Sequence, residues 1–221
     1  MKLKIRDIRK SFDEVTILNG AGYTFESGKV YCISGIKDAG KTTLLKCISG
    51  EIVPDGGKVE IDDLRESFKP DYRYIGEIFA NPVLPDFMTG AEYIKYCLDL
   101  HSAEEKSAEE YLPAAGLDKE TAGKLIHDYT DEQKFRLQLI ILLITDPWII
   151  LIDEPFEGKK YTESILKEFL CENKGRFITL IATDNTDAAG KICDEVVLLK
   201  KGVLTGYPIN LWEQMKERRD V

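Results

Sequence analysis

Alternation of apolar and polar residues dominates the first third of the chain and predicts short strands. The predicted strands cover residues 2–8, 16–18, 23–25, 29–34, 58–61 and 72–79. A helix is expected to begin near Lys41 and to end at Gly50, and the Pro-Asp-Gly-Gly sequence at 54–57 predicts a turn. This part should therefore consist of strands and turns around one helix.

The spacing of apolar residues changes to three and four between residue 89 and about residue 143, which predicts helices. Two apolar helix faces are expected there, formed by Ala91, Ile94, Cys97 and Leu98 and by Leu137, Ile140, Ile141 and Ile144. Beyond residue 146, strands predicted at 148–152, 177–182 and 196–199 alternate with helices predicted at 161–171 and 187–192. Such alternation is typical of parallel strands joined by helices.

These patterns predict one α/β domain that spans residues 1–221. Residues 1–84 and 146–221 should form its core, and residues from about 85 to 145 an inserted helical lobe. No internal repeat or long linker interrupts this organisation. A chain of 221 residues fits one such domain.

Composition narrows the classes of protein that this chain can belong to. Hydrophobic residues make up 43% and charged residues 31%, which is typical of a soluble globular domain. The most apolar segment, 137–152, is cut by Asp146 and Pro147, so no membrane span is expected. The net charge of −9 gives no general attraction for nucleic acid, and no nucleic-acid partner is expected. Five cysteines without metal-site spacing predict reduced, mostly buried thiols of a cytoplasmic protein.

A phosphate-binding loop is predicted at residues 35–42, which read Gly-Ile-Lys-Asp-Ala-Gly-Lys-Thr between a predicted strand and a predicted helix. Glycines allow the backbone to approach phosphates, and backbone N–H groups at the helix start face their negative charge. Lys41 should reach the β- and γ-phosphates of ATP, and the Thr42 hydroxyl should bind Mg²⁺. A glycine-containing turn with a chance lysine is the simpler alternative. The expected nucleotide-binding residues of the loop are Gly35, Ile36, Lys37, Asp38, Ala39, Gly40, Lys41, Thr42 and Thr43.

Two carboxylates close a predicted buried strand at residues 149–154, which read Ile-Ile-Leu-Ile-Asp-Glu. Ligands bind at the carboxyl ends of strands in open α/β sheets. Asp153 should hold Mg²⁺ through its water shell, and Glu154 should orient or deprotonate an attacking water. The alternative is a strand that ends in a solvated acidic turn.

Over essentially its whole length the chain resembles the nucleotide-binding subunits of ABC transporters. The matching segments are residues 35–43, 84–92 (LPDFMTGAE), 149–155, 194–199 and 201–204. Phe12 stands at the position where the family stacks an aromatic ring on adenine, although a core aromatic at a strand end is equally compatible.

The resemblance implies a P-loop NTPase fold of the ABC-ATPase type, in which a mixed core sheet carries an antiparallel N-terminal part and an inserted helical lobe. It implies a homodimer or heterodimer that closes over Mg²⁺ and ATP and moves a polytopic membrane partner. The chain would then lie peripherally on the inner face of the cell membrane.

The family's signature motif is altered in this chain. Where the family has Leu-Ser-Gly-Gly-Gln, residues 129–133 read Tyr-Thr-Asp-Glu-Gln, so that Asp131 and Glu132 replace two glycines. A carboxylate about 6 Å from a phosphate charge is repelled by roughly 3 kcal/mol at an effective dielectric near 20. The sequence also fits a helix that begins here with Thr130 as its N-cap. Both interpretations predict a loop that is poorly suited to closing on ATP.

Three further family positions also differ. The family's glutamine should fall near Ala80 or Asn81, and its histidine after Thr183, where Asp184 stands. Lys160 stands where an aspartate is usual. His101 and His127 match no family position and are interpreted as surface or lobe residues.

Extra charge is also expected beside the nucleotide, because Asp38 replaces a common glycine. Our hypothesis is that Lys159 or Lys160 offsets the charge of Asp184. Reversal of the charge at Lys160 should then weaken nucleotide binding.

The expected function is that of an ATP-binding transport subunit with slow or no hydrolysis by itself. A homodimer would carry two defective sites, whereas a heterodimer with a conventional subunit could keep one. The alternative is a nucleotide-binding regulatory or immunity module that clamps a partner without turnover. An ABC-like ATPase that acts on DNA or ribosomes is disfavoured by the acidic charge, and a small-molecule kinase by the lack of an acceptor site.

Overall fold

The computed structural model describes residues 1–62, 67–68, 73–79, 83–101, 107–113, 116–156 and 161–217. The strands in these ranges are β1 (Lys2–Phe12), β2 (Val15–Glu26), β3 (Val30–Ser34), β4 (Gly56–Asp62), β5 (Ser67–Phe68), β6 (Ile75–Phe79), β7 (Ile149–Asp153), β8 (Ile178–Thr183), β9 (Glu195–Lys200) and β10 (Val203–Pro208). The α-helices are α1 (Lys41–Ser49), α2 (Gly90–His101), α3 (Ala108–Tyr111), α4 (Lys119–Ala122), α5 (Asp131–Thr145), α6 (Thr162–Glu172), α7 (Thr186–Gly190) and α8 (Ile209–Glu217).

A six-stranded sheet in the order β10-β9-β3-β8-β7-β6 forms the centre of the fold. Its strands run parallel except for the β9–β10 pair, which is antiparallel. Every residue of β8 is buried, which is expected for a central strand covered on both faces. Because β3, β7 and β8 are parallel neighbours, their carboxyl ends meet at one edge of the sheet, where the candidate site lies.

Both faces of the parallel sheet are packed, and β7 shows how. Ile150 and Ile152 join a core that contains buried residues of α2, α5 and α6, whereas Ile149 and Leu151 join a core that contains those of α1 and β1. Successive strand side chains point to opposite faces, so a continuous apolar run can serve two cores. The sequence Ile-Ile-Leu-Ile before Asp153 therefore places Asp153 at the end of a strand fixed on both sides.

A second, antiparallel sheet in the order β2-β1-β4-β5 carries the N-terminal part. The prediction of two separate strands at 16–18 and 23–25 was wrong, because β2 is continuous from Val15 to Glu26. The register with β1 shifts where Ile8 faces Ala21 and Arg9 faces Asn19, and Gly20 lies between with φ of +85°. The glycine therefore marks a β-bulge inside one strand rather than a turn between two.

Helices α2 to α5 lie between β6 and β7 in the chain, in the region where the helical lobe was predicted. One buried cluster contains Ile94, Cys97 and Leu98 of α2 together with Leu137 and Ile140 of α5. These residues of the two predicted apolar faces are therefore buried, as predicted. The division of the chain into core and lobe remains a prediction of domain boundaries.

Some sequence predictions differ from the structure at element ends. Helix α7 ends at Gly190 rather than at residue 192, and helix α8 was not predicted at all. Helix α8 buries Trp212, whose ring lies 5.9 Å from that of Tyr207, and Lys216 on the same helix pairs with Asp187. A nine-residue helix with one buried anchor carries too little apolar periodicity to be recognised from sequence.

Two predictions about the bulk of the chain can be compared with the structure. All five cysteines are free, and four of them are buried while Cys171 is exposed. In the described part of the chain no helix has the length and apolar character needed to cross a membrane.

Candidate functional site

The predicted phosphate loop lies between the end of β3 and the start of α1, as its sequence requires. Gly40 precedes the helix with φ of +98°, and a Cβ atom there would come within 2.5 Å of Cγ2 of Ile17. A Cβ atom at Gly35 would lie 2.8 Å from the carbonyl oxygen of Leu199. Both glycines are therefore required by the protein's own packing, in addition to any close approach of a phosphate.

A tight turn shapes the middle of the loop. The amide of Ala39 donates a hydrogen bond to the carbonyl of Ile36 at 3.1 Å, and Asp38 inside the turn has φ of +62°. Aspartate tolerates this left-handed conformation better than most residues, so it can replace the glycine that is common here. Ile36, Lys37 and Asp38 are consequently exposed at the tip of the loop.

Lys41 is the buried cation of the site, with an exposed fraction of only 6%. Its Nζ donates a hydrogen bond to the carbonyl of Gly35 at 3.1 Å and lies 3.3 Å from Oε1 of Glu154. An ammonium group that loses its hydration needs such oxygen partners. The predicted phosphate-binding lysine and the predicted catalytic glutamate are thus in direct contact.

The two predicted Mg²⁺-binding residues are also in contact. The hydroxyl of Thr42 donates a hydrogen bond to Oδ2 of Asp153 at 2.7 Å. The other carboxylate oxygen of Asp153, Oδ1, is buried and has no hydrogen-bond partner in the described part of the chain. Because hard cations such as Mg²⁺ prefer carboxylate, hydroxyl and water oxygens, this pair fits Mg²⁺ held directly or through water.

Glu154 adopts an unusual backbone conformation for its residue type, with φ of 44°. Its amide donates to the carbonyl of Ala182 at 2.8 Å, which ties the turn after β7 to the end of β8. Its Oε2 accepts a long hydrogen bond from the amide of Asp184 at 3.4 Å. The carboxylate therefore lies between Lys41 and the segment that follows β8, and such strained residues cluster at functional sites.

An open cleft of about 650 Å³ connects these groups. The predicted residues that line it are Phe12, Lys37, Asp38, Ala39, Gly40, Lys41, Thr42, Thr43 and Glu154. Gly35 and Ile36 line an adjoining hollow on the other side of the loop, and Asp153 lies behind Thr42. Phe12 is 45% exposed, so it is a surface aromatic at the cleft and not a core residue.

Ile17, Phe156 and Asn185 also line the cleft, although no sequence motif marks them. Ile17 comes from β2 and touches the loop at Gly40, a contact between distant segments that periodicity cannot reveal. Asn185 instead carries a local signal, because its side chain accepts from the amide of Ala188 and caps α7. An asparagine before a short helix could have been recognised as an N-cap.

The altered signature segment forms the start of helix α5. Thr130 is the N-cap: its hydroxyl accepts from the amide of Gln133 at 3.2 Å, and the Gln133 side chain accepts from the amide of Thr130 at 2.9 Å. Glu132 forms an ion pair with Arg136 one turn later at 2.9 Å. The helix-start interpretation of this sequence is therefore correct.

Several predicted positions lie outside the described residues or away from the cleft. Ala80, Asn81, Lys159 and Lys160 fall outside the described ranges, so the offset of Asp184 by one of these lysines remains a prediction. His101 and His127 are both exposed, in agreement with their interpretation as surface residues.

Comparison with known proteins places this geometry in a family. The family profile described as "ABC transporter" matches residues 18–157. The tungstate uptake system ATP-binding protein TupC of Peptoclostridium acidaminophilum is 29% identical over 91% of this chain and 96% of its own length. The energy-coupling factor transporter ATP-binding protein EcfA2 of Mycoplasmoides gallisepticum is 30% identical over 95% of this chain and 75% of its own.

The spermidine/putrescine import ATP-binding protein PotA of Fusobacterium nucleatum is 28% identical over 96% of this chain, which spans only 58% of that relative's length. Among solved structures, cbiO1 of Clostridium perfringens, part of the ABC transporter complex cbiONQ, superposes with a TM-score of 0.81 at 22% identity and covers 99% of this chain. An ATP-binding cassette of an ABC transporter in its ADP conformation superposes with a TM-score of 0.82 at 21% identity and covers 100% of this chain. The chain belongs to the ABC transporter family and has the fold of its ATP-binding subunits.

Proposed function

We propose that this chain binds Mg²⁺ and ATP in the cleft beside the phosphate loop and couples nucleotide binding to a polytopic membrane partner. The observation that carries the proposal is the convergence of Lys41, Glu154, Thr42 and Asp153 at the carboxyl ends of β3 and β7. Membership of the ABC transporter family supports the choice of ATP. The relatives named above serve different transport systems, so the choice of the transported compound would be made by other chains.

Different residues of the cleft would bind different parts of the nucleotide. Loop amides and the N-terminus of α1 would receive the phosphates, and Lys41 would exchange its contact with Glu154 for a phosphate oxygen. Phe12 would pack against the adenine ring from the rim of the cleft. Thr42 and Asp153 would hold Mg²⁺, which supplies positive charge to neutralise the phosphate oxygens.

Glu154 would act on the attacking water once Lys41 has moved to the phosphates. In the structure its carboxylate contacts the Lys41 ammonium and the Asp184 amide. Movement of Lys41 to the phosphates would free the carboxylate to face the attacking water and to accept its proton. The contact between Lys41 and Glu154 would therefore break when a triphosphate enters.

We infer that hydrolysis by this chain alone is slow. Asp184 stands where the family places a histidine, so no imidazole follows β8. The signature segment is committed to capping α5, and it presents Asp131 and Glu132 instead of glycines. A closing partner would bring these carboxylates towards phosphate charge, at a cost of roughly 3 kcal/mol for each close pair.

The membrane partner would dock on the surface formed by residues 83–88 and α2. Phe87 is 83% exposed and Leu100 60% exposed on this surface, which is unusual for large apolar side chains. A homodimer would bring together two altered signature segments, whereas a heterodimer with a conventional subunit would retain one site that can close. The chain would then act at the inner face of the membrane.

Direct measurement of nucleotide binding and turnover tests the proposal. We expect the wild-type chain to bind Mg–ATP below millimolar concentration and Lys41→Ala to bind at least about tenfold more weakly, which corresponds to about 1.4 kcal/mol. Lys46→Ala is a matched control, because Lys46 lies on the same helix and pairs with Glu51 outside the cleft. No binding by the wild type at millimolar Mg–ATP would overturn the function, and turnover near about 10 per second would overturn slow hydrolysis.

A second function, a regulatory or immunity module that clamps a partner without turnover, is favoured by the fully formed cap at Thr130 and Gln133. Glu154→Gln separates the two candidates because it keeps the shape of the side chain but removes the base. A transport subunit should lose transport with this substitution and copurify with an integral membrane protein. A clamp should retain its partner and its biological effect.

A further inference from the structure

The charges that line the nucleotide cleft do not favour a triphosphate. Among the described residues, the charged ones that line this cavity are three acids and two lysines: Asp38, Glu154, Asp184, Lys37 and Lys41. One of the two cations, Lys41, is already paired with Glu154 and hydrogen-bonded to Gly35. A nucleoside triphosphate that enters this cleft therefore meets excess negative charge. The terminal phosphate, which a diphosphate lacks, adds further negative charge and is repelled most.

Lys37 is the cation that the cleft leaves uncommitted. Its side chain is exposed and makes no hydrogen bond or ion pair with any residue that the structure describes. The turn closed by the Ala39–Ile36 hydrogen bond holds its backbone at the tip of the loop. A lysine side chain has a flexible four-carbon stem and a compact charge, so from this anchored position it can follow an anion in the cleft.

The neighbours of Lys37 explain why a cation is useful at this point. Asp38 follows it directly, and Asp184 lines the same cleft where it would approach the outer phosphates. Both carboxylates are exposed, and neither forms an ion pair with a residue that the structure describes. Among the residues that the structure describes around this cleft, removal of Lys37 would leave Lys41, deeper in the site, as the remaining cation beside these carboxylates.

We propose that Lys37 is a specificity-determining residue that recognises the terminal phosphate and lets this acidic cleft distinguish a nucleoside triphosphate from a diphosphate. The inference rests on the proposed function, because it assigns a role within the same site. Loop amides serve the inner phosphates and Lys41 reaches the β- and γ-phosphates, so a diphosphate needs Lys37 little. The terminal phosphate adds charge beside Asp184 and Glu154, and there the second ammonium is needed.

The experiment is a comparison of ATP and ADP dissociation constants by calorimetry for the wild type and Lys37→Met, with Mg²⁺ present. Methionine keeps an unbranched stem without the charge, and Lys46→Met is the matched control on α1. We expect the ATP dissociation constant to rise about tenfold and the ADP constant less than threefold in Lys37→Met only. Lys37→Arg should retain the preference for ATP.

A second pair of variants tests the charge argument. Asp184→Asn in the Lys37→Met background should recover most of the lost ATP affinity, because it removes the carboxylate that Lys37 offsets. Equal weakening of ATP and ADP, or no change in either, would overturn the role of Lys37. Failure of the wild-type chain to bind either nucleotide would instead overturn the proposed function, so the two failures are distinguishable. The melting temperature should be unchanged, since the side chain is exposed and unpaired.

Discussion

The Thr42 hydroxyl lies 2.7 Å from Oδ2 of Asp153, a residue 111 positions later in the chain. The two residues follow β3 and end β7, which are not adjacent strands but flank β8 in the sheet. The hydrogen bond therefore spans the end of β8 and connects the two halves of the candidate site. It leaves Oδ1 of Asp153 buried without a partner among the described residues, which is an orientation suited to an added cation or its water.

Asp153→Asn should remove the dependence of ATP binding on Mg²⁺. An amide is neutral and a poorer ligand for a hard cation, so ATP affinity measured with and without Mg²⁺ should become nearly equal. Thr42→Ser keeps the hydroxyl and should preserve the dependence, whereas Thr42→Ala should reduce it. Titration of Mg²⁺ at fixed ATP is the measurement, and a wild-type magnesium effect in Asp153→Asn would contradict the assignment.

Gly40→Ala should destabilise the fold more than Gly50→Ala. Both glycines have positive φ, so both substitutions carry backbone strain of about 1 kcal/mol. Only at Gly40 would the new Cβ meet another atom, Cγ2 of Ile17 at 2.5 Å, whereas nothing lies within 4 Å at Gly50. We expect chemical denaturation to show a further loss of about 1–3 kcal/mol for Gly40→Ala.

The additional substitution Ile17→Ala is the control for this packing argument. It removes the atom that the new Cβ would meet, so it should return part of the difference between Gly40→Ala and Gly50→Ala. Equal stability losses for the two glycine substitutions would mean that the loop moves away from β2 at no cost.

The parts of the site that could be predicted from sequence are those where the local backbone conformation requires particular residue types. Gly40 and Lys41 at a strand–helix junction, and Asp153 after four apolar residues, are of this kind. The same holds for β7, whose apolar run reflects two packed faces.

The remaining features depend on contacts between distant segments. No periodicity indicates that Ile17 packs against Gly40, or that Glu154 pairs with Lys41. The single strand β2 was interpreted as two, because a glycine at a bulge and a glycine at a turn look alike in sequence. Pairing with β1 decides between them, and pairing is a property of the folded chain.

Thr130→Ala should lower the free energy of unfolding by about 1 kcal/mol, the usual value of a helix N-cap. The substitution removes the hydroxyl that accepts from the amide of Gln133 and disrupts the reciprocal capping box. Thr130→Ser retains the hydroxyl and should stay within about 0.5 kcal/mol of the wild type. Denaturant unfolding is the measurement. An undiminished stability for Thr130→Ala would show that the altered signature segment does not cap α5 in solution.

Glu77→Gln should change stability in a manner that depends on pH. Burial raises the pKa of the Glu77 carboxyl on β6, and the opposing effect of its hydrogen bond with Ser49 is smaller. The folded state therefore holds this proton more tightly than the unfolded state, so Glu77 costs stability increasingly as pH rises from its ordinary pKa through the raised one. Glutamine carries no charge, and the stability of Glu77→Gln relative to the wild type should rise between pH 4 and pH 8.

Glu60→Gln offers a control of opposite sign on β4. The Lys58 ammonium lowers the pKa of the Glu60 carboxyl, so ionised Glu60 stabilises the folded state above its ordinary pKa and loses that effect as pH falls through the lowered value. Relative to the wild type, Glu60→Gln should therefore become less stable as pH rises from the lowered pKa to the ordinary one, so the series for this variant extends to lower pH than that for Glu77→Gln. Urea midpoints measured at several pH values give both differences. Parallel curves for the two variants would mean that burial of Glu77 does not control its ionisation, because only opposite environments produce opposite slopes.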